Sequence, residues 1–598
     1  MQLDLTSLRH GYEAGTLTPL QVVEEILRLA ANPRHPHVWI DRVPADQLRK
    51  MAAALPAQPT PELPLYGVPF AIKDNIDLEG LKTTVACPTF GFHPGYSATV
   101  VQKLIAAGAL PVGKTNLDQF ATGLVGTRSP YGICQSVFDP RYISGGSSSG
   151  SGVAVAAGMV TFALGTDTAG SGRVPAAFNN IVGLKPTRGR LSTRGVFPAC
   201  RSLDCVSIFA LSCHDAQAVL NVVSGFDPGD AYSRPTPAPN ASLPEEFKFG
   251  ILPPAQREFF GDVEASLLYE QAIARLAGCG GTPVEFDYTP FAKIAALLYA
   301  GPWVAERRAA LGDFFNLQPE SIHPVVREII GGAQKYDAVS AFQAQYELQA
   351  LAQAAAPTWQ KVDVLLLPTT GTTYRIEEVL AQPLKLNTQL GYYTNFVNLL
   401  DLSALALPAG FRLSNGLPFG ITLMGPAFAD DALIRLGAQF HQLTGVNLGA
   451  SSQSIVDQPL PADKPSGIAV AVVGAHLRGH PLNHQLTSRQ AVFVKQTKTA
   501  PHYRLYALAN TQPPKPGLKR VAETLPHGIE VEVWSLTPAA FGSFVAEIPA
   551  PMGIGALELE DGTTVKGFLC EPIGFTDARD ITGFGGWRAF RQSLTNPA

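Results

Sequence analysis

Short apolar runs alternate with longer helical patterns through most of the chain. Runs with the length of strands cover residues 68–72, 110–113, 161–165 and 364–368. Patterns with helical spacing cover 99–107, 117–123, a stretch that begins at 153, 288–311 and 338–355. Alternation of this kind predicts an α/β domain in which helices are layered on a largely parallel or mixed sheet.

A change of composition divides the chain. Residues 449–467 read GASSQSIVDQPLPADKPSG, with three prolines, four serines and few large apolar residues. Such a composition is typical of an extended linker. We therefore predict one domain over residues 1–450, a linker over 451–467 and a C-terminal domain over 468–598.

The part after the linker has a different pattern. Short β-rich runs cover residues 468–473, 491–494, 504–508, 531–534 and 564–569. Turn residues, such as those at 513–517 and 561–562, separate these runs. The pattern predicts a small α+β or barrel-like domain.

Charge and composition exclude several classes of protein. The 45 Lys and Arg residues against 49 Asp and Glu give a net charge of −4, so no basic excess is available to bind nucleic acid. A hydrophobic content of 46% argues against disorder. Residues 1–31 lack the pattern of a secretory signal, and no apolar run reaches the roughly 20 residues that span a bilayer. Seven cysteines without a CxxC pair indicate reduced thiols and a cytoplasmic protein.

A serine- and glycine-rich segment carries the first candidate chemistry. Residues 144–152 read SGGSSSGSG, a composition that also suits a flexible linker. Here, however, apolar helix and strand patterns follow without a break and lead to a second Gly-Ser-Gly at 170–172. Glycines in such loops let backbone N–H groups converge on an anion. Residues 146–150 also fit G-x-S-x-G, but no strand pattern comes directly before them, as a nucleophile elbow requires.

A lysine follows the apolar run at 68–72. A lysine at a strand end is usually a surface residue. Burial of Lys73 beside serines would instead disfavour its charged form and lower its pKa, so that a neutral amine could act as a base. Because Ser–Lys pairs replace Ser–His–Asp in some hydrolases, this lysine is a candidate catalytic residue.

Three motifs in order resemble the amidase signature family: Lys73 in GVPFAIKDN, Ser147 in SGGSSSGSG and Ser171 in GTDTAGSGRVPAA. The related sequence runs from about residue 18 to about residue 449. The resemblance implies a mixed β-sheet core layered with helices and a reaction without metal or other cofactor. It also implies that Ser171 is the nucleophile, that Ser147 is a bridging serine after a cis peptide, and that Lys73 is the base.

The resemblance implies an oxyanion hole as well, formed by the backbone N–H groups of Thr168, Ala169, Gly170 and Ser171. In this scheme Ser147 accepts a proton from Ser171 and donates to neutral Lys73, because a serine is a poor nucleophile until a neighbour takes its proton. Fixed N–H donors then stabilise the negative charge that grows on the carbonyl oxygen. Asp167 and Arg173 flank the nucleophile, and we interpret both as supports of this loop.

The phrase LLYAGPWVAERR at residues 297–308 bears on the substrate. In a helix, positions 299, 303 and 307 would share one face, and an amphipathic helix with an exposed arginine is the ordinary interpretation. The phrase resembles the allophanate hydrolase branch of the family, which implies that Tyr299 and Arg307 bind the substrate. A guanidinium suits allophanate, which is a urea that carries a carboxylate. Gly123, in ATGLVGTRSP, is a further implied backbone contact.

The C-terminal domain contains the phrase VVGAHLRGHPLNHQL at residues 472–486. The phrase resembles the γ-glutamyl cyclotransferase-like domain appended to allophanate hydrolases. This resemblance implies that the domain assists decarboxylation of N-carboxycarbamate, with His484 as the general base and His476 and His480 as alternatives. Histidines spaced four apart also mimic metal ligands on a helix, but the intervening glycine and proline disfavour that helix, and we predict no metal.

Together these resemblances imply a cytoplasmic homodimer that hydrolyses allophanate to ammonia and carbon dioxide. The allophanate would come from a separate urea carboxylase, because no biotin-bearing or ATP-grasp segment is apparent, and neither nucleic acid nor a membrane would be a partner. Three alternatives stay open. They are another amidase of the family, the glutaminase subunit of a tRNA-dependent amidotransferase, and an amidase-like binding protein without activity.

Overall fold

The computed structural model describes residues 2–31, 34–60, 62–236, 243–244, 246–455, 467–489 and 491–595. The chain forms two compact units, Met1–Pro461 and Ala462–Ala598. The boundary between the units falls within the predicted linker 451–467, of which residues 456–466 lie outside the described residues.

One mixed sheet of eleven strands forms the centre of the first unit. The strands are β1 (Trp39–Arg42), β2 (Pro69–Lys73), β3 (Leu110–Thr115), β4 (Phe162–Asp167), β5 (Val182–Lys185), β6 (Cys205–Ala210), β7 (Phe247–Ile251), β8 (Gly281–Glu285), β9 (Val364–Pro368), β10 (Ser403–Phe411) and β11 (Pro418–Gly425). Their order across the sheet is β1-β3-β2-β4-β6-β5-β10-β11-β9-β7-β8. β2 pairs parallel with β3 and β4, whereas β4 pairs antiparallel with β6. The predicted fold class, helices layered on a mixed sheet, is confirmed.

Helices surround this sheet. They are α1 (Leu5–Glu13), α2 (Pro19–Ala30), α3 (Ala45–Ala54), α4 (Thr99–Ala106), α5 (Ser149–Ala156), α6 (Val174–Phe178), α7 (Cys213–Val223), α8 (Val263–Ala277), α9 (Thr289–Ala300), α10 (Trp303–Leu311), α11 (Phe314–Leu317), α12 (Pro324–Gly331), α13 (Ala338–Ala355), α14 (Ile376–Ala381), α15 (Lys385–Leu390), α16 (Phe396–Leu399) and α17 (Asp430–Leu443). The helices predicted over 99–107 and 338–355 are confirmed as α4 and α13. Strands β2 and β4 are buried along their whole length, which explains their continuous apolar runs.

The last four residues of the serine- and glycine-rich segment, 149–152, form the first turn of α5. This helix begins at Ser149, four residues before the predicted start, and it is buried throughout. Its small residues allow close approach: a Cβ on Gly150 would lie 2.5 Å from the carbonyl oxygen of Val38, and one on Gly152 would lie 3.1 Å from Pro175 Cβ. Composition that suits a linker therefore serves tight helix packing here.

The helix predicted over 117–123 is wrong. The chain forms a single 3-10 turn at Gln119–Ala121, where Phe120 and Ala121 have φ angles of 53° and 52°. Asp118 explains the difference, because its carboxylate accepts hydrogen bonds from three N–H groups further along the chain. These belong to Val125, Gly126 and Arg128. A side chain that binds nearby backbone in this way competes with the helical hydrogen bonds.

The helical stretch predicted over 288–311 consists of two helices, α9 and α10. They are separated at Gly301 and Pro302. Gly301 has an extended backbone, with φ of −123° and ψ of −177°, which is the conformation favoured before a proline. A proline also lacks the N–H group that would continue the hydrogen-bond ladder.

The second unit combines two small sheets with short helices. Its strands are β12 (Ile468–Val472), β13 (Val492–Lys498), β14 (Tyr503–Ala507), β15 (Pro516–Arg520), β16 (Glu530–Leu536), β17 (Met552–Glu558), β18 (Thr564–Cys570) and β19 (Arg579–Asp580), and its helices are α18 (His484–Thr487), α19 (Pro538–Ala546) and α20 (Trp587–Thr595). The sheet orders are β13-β16-β12-β18-β17 and β15-β14-β19. Each predicted β-rich run overlaps a strand. The turn predicted over 513–517 is wrong in its last two residues, because Pro516 and Gly517 pair with β14.

Two further features concern the whole described chain. None of the described helices combines the length and the apolar character needed to cross a membrane. All seven cysteines are unpaired, as predicted, and five of them are buried.

Candidate active site

Lys73 is a fully buried lysine at the end of β2. Its Nζ lies 2.7 Å from Ser147 Oγ and 2.8 Å from Thr166 Oγ1. Burial lowers the pKa of Lys73 to about 7, although Asp118 and other buried carboxylates act in the opposite direction. A large fraction of this lysine is therefore an uncharged amine near neutral pH, as a general base requires.

Thr166 is a partner of Lys73 that the sequence did not reveal. It lies in β4, which pairs with β2, and its Oγ1 also accepts a hydrogen bond of 3.3 Å from Asn75 Nδ2. When one N–H of the neutral amine points at Thr166, the nitrogen lone pair can face Ser147. A threonine inside a buried strand is common, so its sequence context gave no signal.

Ser147 lies just before α5 and is fully buried. The peptide bond between Gly146 and Ser147 is cis, as the family resemblance implies. The space beside Gly146 is closed, since a Cβ there would lie 2.2 Å from Asp118 Oδ2. Glycine is thus required directly before the bridging serine.

Ser171 lies in the loop that follows β4 and is 3% exposed. Its Oγ donates a hydrogen bond of 3.5 Å to the carbonyl oxygen of Gly123. Among the described residues, no hydrogen bond joins Ser171 to Ser147. Hydrogen bonds between catalytic groups are often long or absent before a substrate binds. The structure therefore forms the Lys73–Ser147 half of the predicted relay and places Ser171 beside Gly123.

A buried ion pair shapes the loop around Ser171. Arg173 donates two hydrogen bonds of 2.9 Å to Asp167. Asp167 also accepts from the N–H groups of Gly170 and Gly172, at 2.9 and 3.0 Å. Burial would raise the pKa of Asp167, but Arg173 outweighs this effect and holds the pKa below its usual range. These contacts match the interpretation of Asp167 and Arg173 as supports of the loop.

Three of the four predicted oxyanion donors are available. In the described part of the chain, the N–H groups of Thr168, Ala169 and Ser171 donate to no protein acceptor. The N–H group of Gly170 is already bound to Asp167. Gly170 has a φ of 128°, and a Cβ there would lie 2.5 Å from Thr394 Oγ1, so glycine is needed for its conformation and for space.

Arg307 is a buried arginine that forms no ion pair with any of the described residues. It is 2% exposed, so the exposed arginine of the ordinary interpretation is wrong. Its Nη1 donates to the carbonyl oxygen of Ala121 at 3.2 Å and to Thr122 Oγ1 at 3.1 Å. Within the described ranges its polar partners are neutral, and it forms no salt bridge with a carboxylate.

Tyr299 and Arg307 meet across the corner between α9 and α10. The guanidinium lies 5.4 Å from the centre of the tyrosine ring, and Nη2 lies 3.4 Å from the tyrosine hydroxyl. The expectation of one continuous helix is wrong because of Gly301 and Pro302, yet the two side chains are adjacent. The structure thus brings together the two residues predicted to bind the substrate.

Gly123 connects the surroundings of Arg307 with Ser171. Its carbonyl oxygen accepts from Ser171, and the preceding residue, Thr122, accepts from Arg307. Gly123 has a φ of 150°, and a Cβ there would lie 2.6 Å from Asp118 Oδ2. A side chain at this position would therefore collide with Asp118 and Arg128.

Arg128 is a second buried arginine in this region, and the sequence did not single it out. It has no exposed surface, and it donates to the carbonyl oxygens of Thr122 at 3.0 Å and Pro383 at 2.8 Å. Burial lowers the pKa of Arg128. Its position in ATGLVGTRSP, among glycines and small residues, was the available signal.

A cavity of about 260 Å³ in the second unit is lined by His476. The imidazole stacks on Phe568, with ring centres 5.1 Å apart, and its Nε2 lies 2.8 Å from Gln485 Oε1. Lys515 and Glu547 belong to the same lining. Burial lowers the pKa of His476.

The other two candidate histidines lie outside this lining. His484, predicted as the general base, is exposed, and its Nδ1 lies 2.8 Å from the carbonyl oxygen of Pro481. His480 is partly buried, which lowers its pKa. The described residues contain no group of three or more His, Cys, Asp and Glu side chains arranged to hold a metal ion.

Two family models match the chain. The Amidase model matches residues 21–434, and the model of the allophanate hydrolase C-terminal domain matches residues 468–592. The two matched ranges lie in the two compact units.

Similar proteins include longer and shorter chains. The urea amidolyase of Lachancea kluyveri is 46% identical in an alignment of 546 positions that covers 88% of this chain and 30% of that protein. The chain thus spans about a third of the length of the urea amidolyases it matches. A glutamyl-tRNA(Gln) amidotransferase subunit of Symbiobacterium thermophilum is 34% identical over 74% of this chain and 97% of that protein. The solved structure of selenomethionine-substituted Kluyveromyces lactis allophanate hydrolase is 44% identical, with a TM-score of 0.75, over 97% of this chain and 98% of that one.

Proposed function

The chain belongs to the amidase family, and from this membership we propose that it hydrolyses the terminal amide of allophanate (urea-1-carboxylate). The products of this step are ammonia and N-carboxycarbamate. Similarity to the Kluyveromyces lactis allophanate hydrolase along nearly the whole of both chains supports the proposal. The match of the second unit to an allophanate hydrolase domain supports it as well.

The observation that carries this proposal is the buried charge of Arg307 beside the nucleophile. A buried guanidinium with neutral partners is costly unless a ligand supplies an anion. Allophanate carries a carboxylate at the end opposite its amide, and a guanidinium binds a carboxylate through two parallel hydrogen bonds. Thr122 contacts Arg307 and the adjacent Gly123 contacts Ser171, so a carboxylate held by Arg307 would direct the amide toward Ser171.

In the proposed first step, Ser171 Oγ attacks the amide carbonyl carbon. Ser147 takes the proton of Ser171 while its own proton passes to Lys73. The free N–H groups of the loop stabilise the oxygen that becomes negative. Lys73 then returns the proton through Ser147 to the nitrogen that leaves as ammonia. Water attacks the resulting ester by the same relay and releases N-carboxycarbamate.

We propose that the second unit assists the loss of carbon dioxide from N-carboxycarbamate. The bond between nitrogen and one carboxyl carbon breaks, carbon dioxide leaves, and the nitrogen keeps the electron pair, takes a proton and remains in carbamate. His476 is a better candidate than His484 for this proton exchange, because it lines the cavity. Lys515 in the same lining would attract an anionic compound.

We further propose that the enzyme is a cytoplasmic homodimer supplied by a separate urea carboxylase. Carboxylation of a urea nitrogen gives allophanate directly, so such an enzyme would produce this substrate. The unpaired cysteines support a reducing compartment. The homodimer rests on the family resemblance alone.

The competing proposal is a glutaminase subunit of a tRNA-dependent amidotransferase. The similarity to an amidotransferase subunit favours it for the first unit. It leaves the second unit without a role, although that unit matches an allophanate hydrolase domain. We therefore prefer allophanate.

Ammonia release from allophanate, malonamate, biuret and glutamine tests the proposal. Allophanate and malonamate carry a carboxylate near the amide, whereas biuret is a neutral isostere of allophanate. We expect kcat/KM for biuret to be lower than that for allophanate by a factor of about 10² to 10⁴, because biuret leaves Arg307 without an anion. Equal values for all four compounds would reject Arg307 as the residue that selects a carboxylate.

A further inference from the structure

Residues 199–204, which we call the tether loop, link two parts of the site that are distant in sequence. The loop lies directly before β6. One end of the tether loop contacts Thr168 in residues 168–171, which we call the oxyanion loop because it holds the predicted oxyanion donors. Other residues of the tether loop contact α10, the helix that carries Arg307.

Asp204 holds the end of the tether loop that contacts the oxyanion loop. Its side chain is 7% exposed, and one oxygen accepts a short hydrogen bond from the Thr168 hydroxyl. The two carboxylate oxygens also accept from the N–H groups of Ala199, at 2.8 Å, and Cys200, at 3.2 Å. Asp204 therefore closes the tether loop on itself and binds it to the oxyanion loop at the same time.

The outer part of the tether loop is bound to α10. Ser202 Oγ donates a hydrogen bond of 2.8 Å to Glu306, and Ser202 N donates another of 3.3 Å to the same carboxylate. Cys200 Sγ donates to the carbonyl oxygen of Trp303 at 3.4 Å. Glu306 directly precedes Arg307, so these bonds fix the segment from which the guanidinium extends.

We propose that Asp204 is a positioning residue that sets the separation between the oxyanion loop and Arg307, and thereby selects amides that carry a carboxylate at the matching distance. This inference rests on the proposed function. Asp204 touches no reacting atom in the proposed reaction. It acts through Thr168 on one side and through the tether loop on the other.

The proposed site holds a substrate at two places, the oxyanion donors and Arg307, and the effect of changing their separation depends on the substrate. An amide with a carboxylate must fit the oxyanion donors and Arg307 at the same time, so its reaction depends on the distance between them. A neutral amide needs the oxyanion donors alone. Loosening the tether loop should therefore slow carboxylated amides more than neutral ones.

The charge of Asp204 provides an independent measurement. Burial raises the pKa of Asp204 to about 6, so the carboxylate is ionised above that pH. The negative charge raises the pKa of Lys73. Replacing Asp204 by a neutral residue should then move the acid limb of the pH profile to lower pH, an effect that a loosened loop by itself would not produce.

The test compares kcat/KM for malonamate with that for malonamide, its neutral isostere, in the full-length enzyme. Asp204→Asn removes one acceptor from the tether loop, and Thr168→Val removes the hydroxyl while it keeps the side-chain volume. We expect each variant to lower the malonamate-to-malonamide ratio by about tenfold or more. Thr168→Ser restores the hydroxyl and should restore most of the ratio. Asp204→Asn, but not Thr168→Val, should shift the acid limb of the pH profile.

The outcomes separate this inference from the proposed function. A wild-type ratio near one would refute the selection of carboxylates, and the inference would fall with it. A high wild-type ratio that both variants leave unchanged would overturn the inference alone. Parallel losses on both substrates, with a constant ratio, would reduce Asp204 to a structural support. Thr168→Val decides the matter if Asp204→Asn does not fold.

Discussion

Two buried arginines, Arg173 and Arg307, have opposite surroundings. Arg173 lies against Asp167 in a bidentate ion pair that also binds the backbone of the nucleophile loop. Arg307 is equally buried but has a hydroxyl group, a carbonyl oxygen and a tyrosine as its partners. Arg173 thus has a carboxylate as its direct hydrogen-bond partner, whereas Arg307 is hydrogen-bonded to neutral groups and feels the carboxylates of Asp204 and Glu306 through space.

The difference separates a structural charge from a binding charge. A neutralised guanidinium contributes to the fold, and its removal leaves a buried carboxylate unpaired. A guanidinium without a counterion adds little to stability but offers strong binding to an anion. Burial by itself therefore does not distinguish the two roles, whereas the identity of the partners does.

The largest effect should follow from replacing Ser171, the proposed nucleophile. We expect Ser171→Ala to lower kcat by at least about 10⁴-fold, because the variant lacks the hydroxyl that attacks in the proposed reaction. Ammonia release from malonamate measures this effect. Ser148→Ala is the matched control, since that hydroxyl is bound to the backbone of Thr166. Turnover of Ser171→Ala within tenfold of wild type would exclude Ser171 as the nucleophile.

Arg307→Gln should weaken the binding of substrates that carry a carboxylate. We expect kcat/KM for malonamate to fall by about 10² to 10³-fold, because a neutral amide replaces the charge that holds the carboxylate. Malonamide, which needs no charge, should react nearly as well as with the wild type, and the urea unfolding midpoint should change little. Equal losses on the two substrates would contradict a binding role.

Arg173→Gln should lower the stability of the first unit. We expect a loss of about 3–5 kcal/mol in the stability of the first unit, because Asp167 is left charged and buried without its partner. Urea unfolding followed by a probe in that unit measures the loss. The double variant Asp167→Asn/Arg173→Gln should recover part of it, and an unchanged midpoint in Arg173→Gln would remove the distinction between the two arginines.

The pH dependence of the reaction tests the proposed role of Lys73 as the base. In the proposed reaction the active form of Lys73 is the neutral amine, so lowering the pH below its pKa of about 7 should remove activity. We expect kcat/KM for malonamate to rise about tenfold per pH unit below pH 7 and to level off above it. A flat profile between pH 6 and pH 8 would argue against Lys73 as the base.

The smallest effect extends the comparison to the second unit. His476→Ala should slow carbon dioxide formation severalfold and leave ammonia release from the first step unchanged, because His476 lines the cavity. His484→Ala is the matched control on the exposed surface. A slower release of carbon dioxide in His484→Ala but not in His476→Ala would restore the sequence-based choice of base.

The sequence predicted the parts of the site that local motifs encode. Lys73 ends a buried strand, and the cis bond before Ser147 was implied by its motif; the structure has both features. Whether these residues catalyse the reaction stays a prediction, which the Ser171 and pH experiments test.

Residues whose role depends on distant contacts could not be found in this way. Asp204 binds Thr168 from a position 36 residues away, and no pattern around it indicates that contact. Thr166 and Arg128 likewise contact residues that are distant in sequence, Lys73 and Pro383. The helix expected over 117–123 failed for a related reason, because Asp118 draws the following backbone toward its own carboxylate.

The corner at Gly301 and Pro302 places the two residues predicted to bind the substrate on two different helices. Tyr299 lies on α9 and Arg307 on α10, so the rotational setting of each side chain belongs to a different helix. A one-residue shift within α9 would turn Tyr299 by about 100° around the axis of that helix, and Arg307 keeps its place only if the bend at Gly301 and Pro302 absorbs this rotation. Insertions and deletions on the α9 side therefore change the position of Tyr299 relative to Arg307, the two residues predicted to bind the substrate.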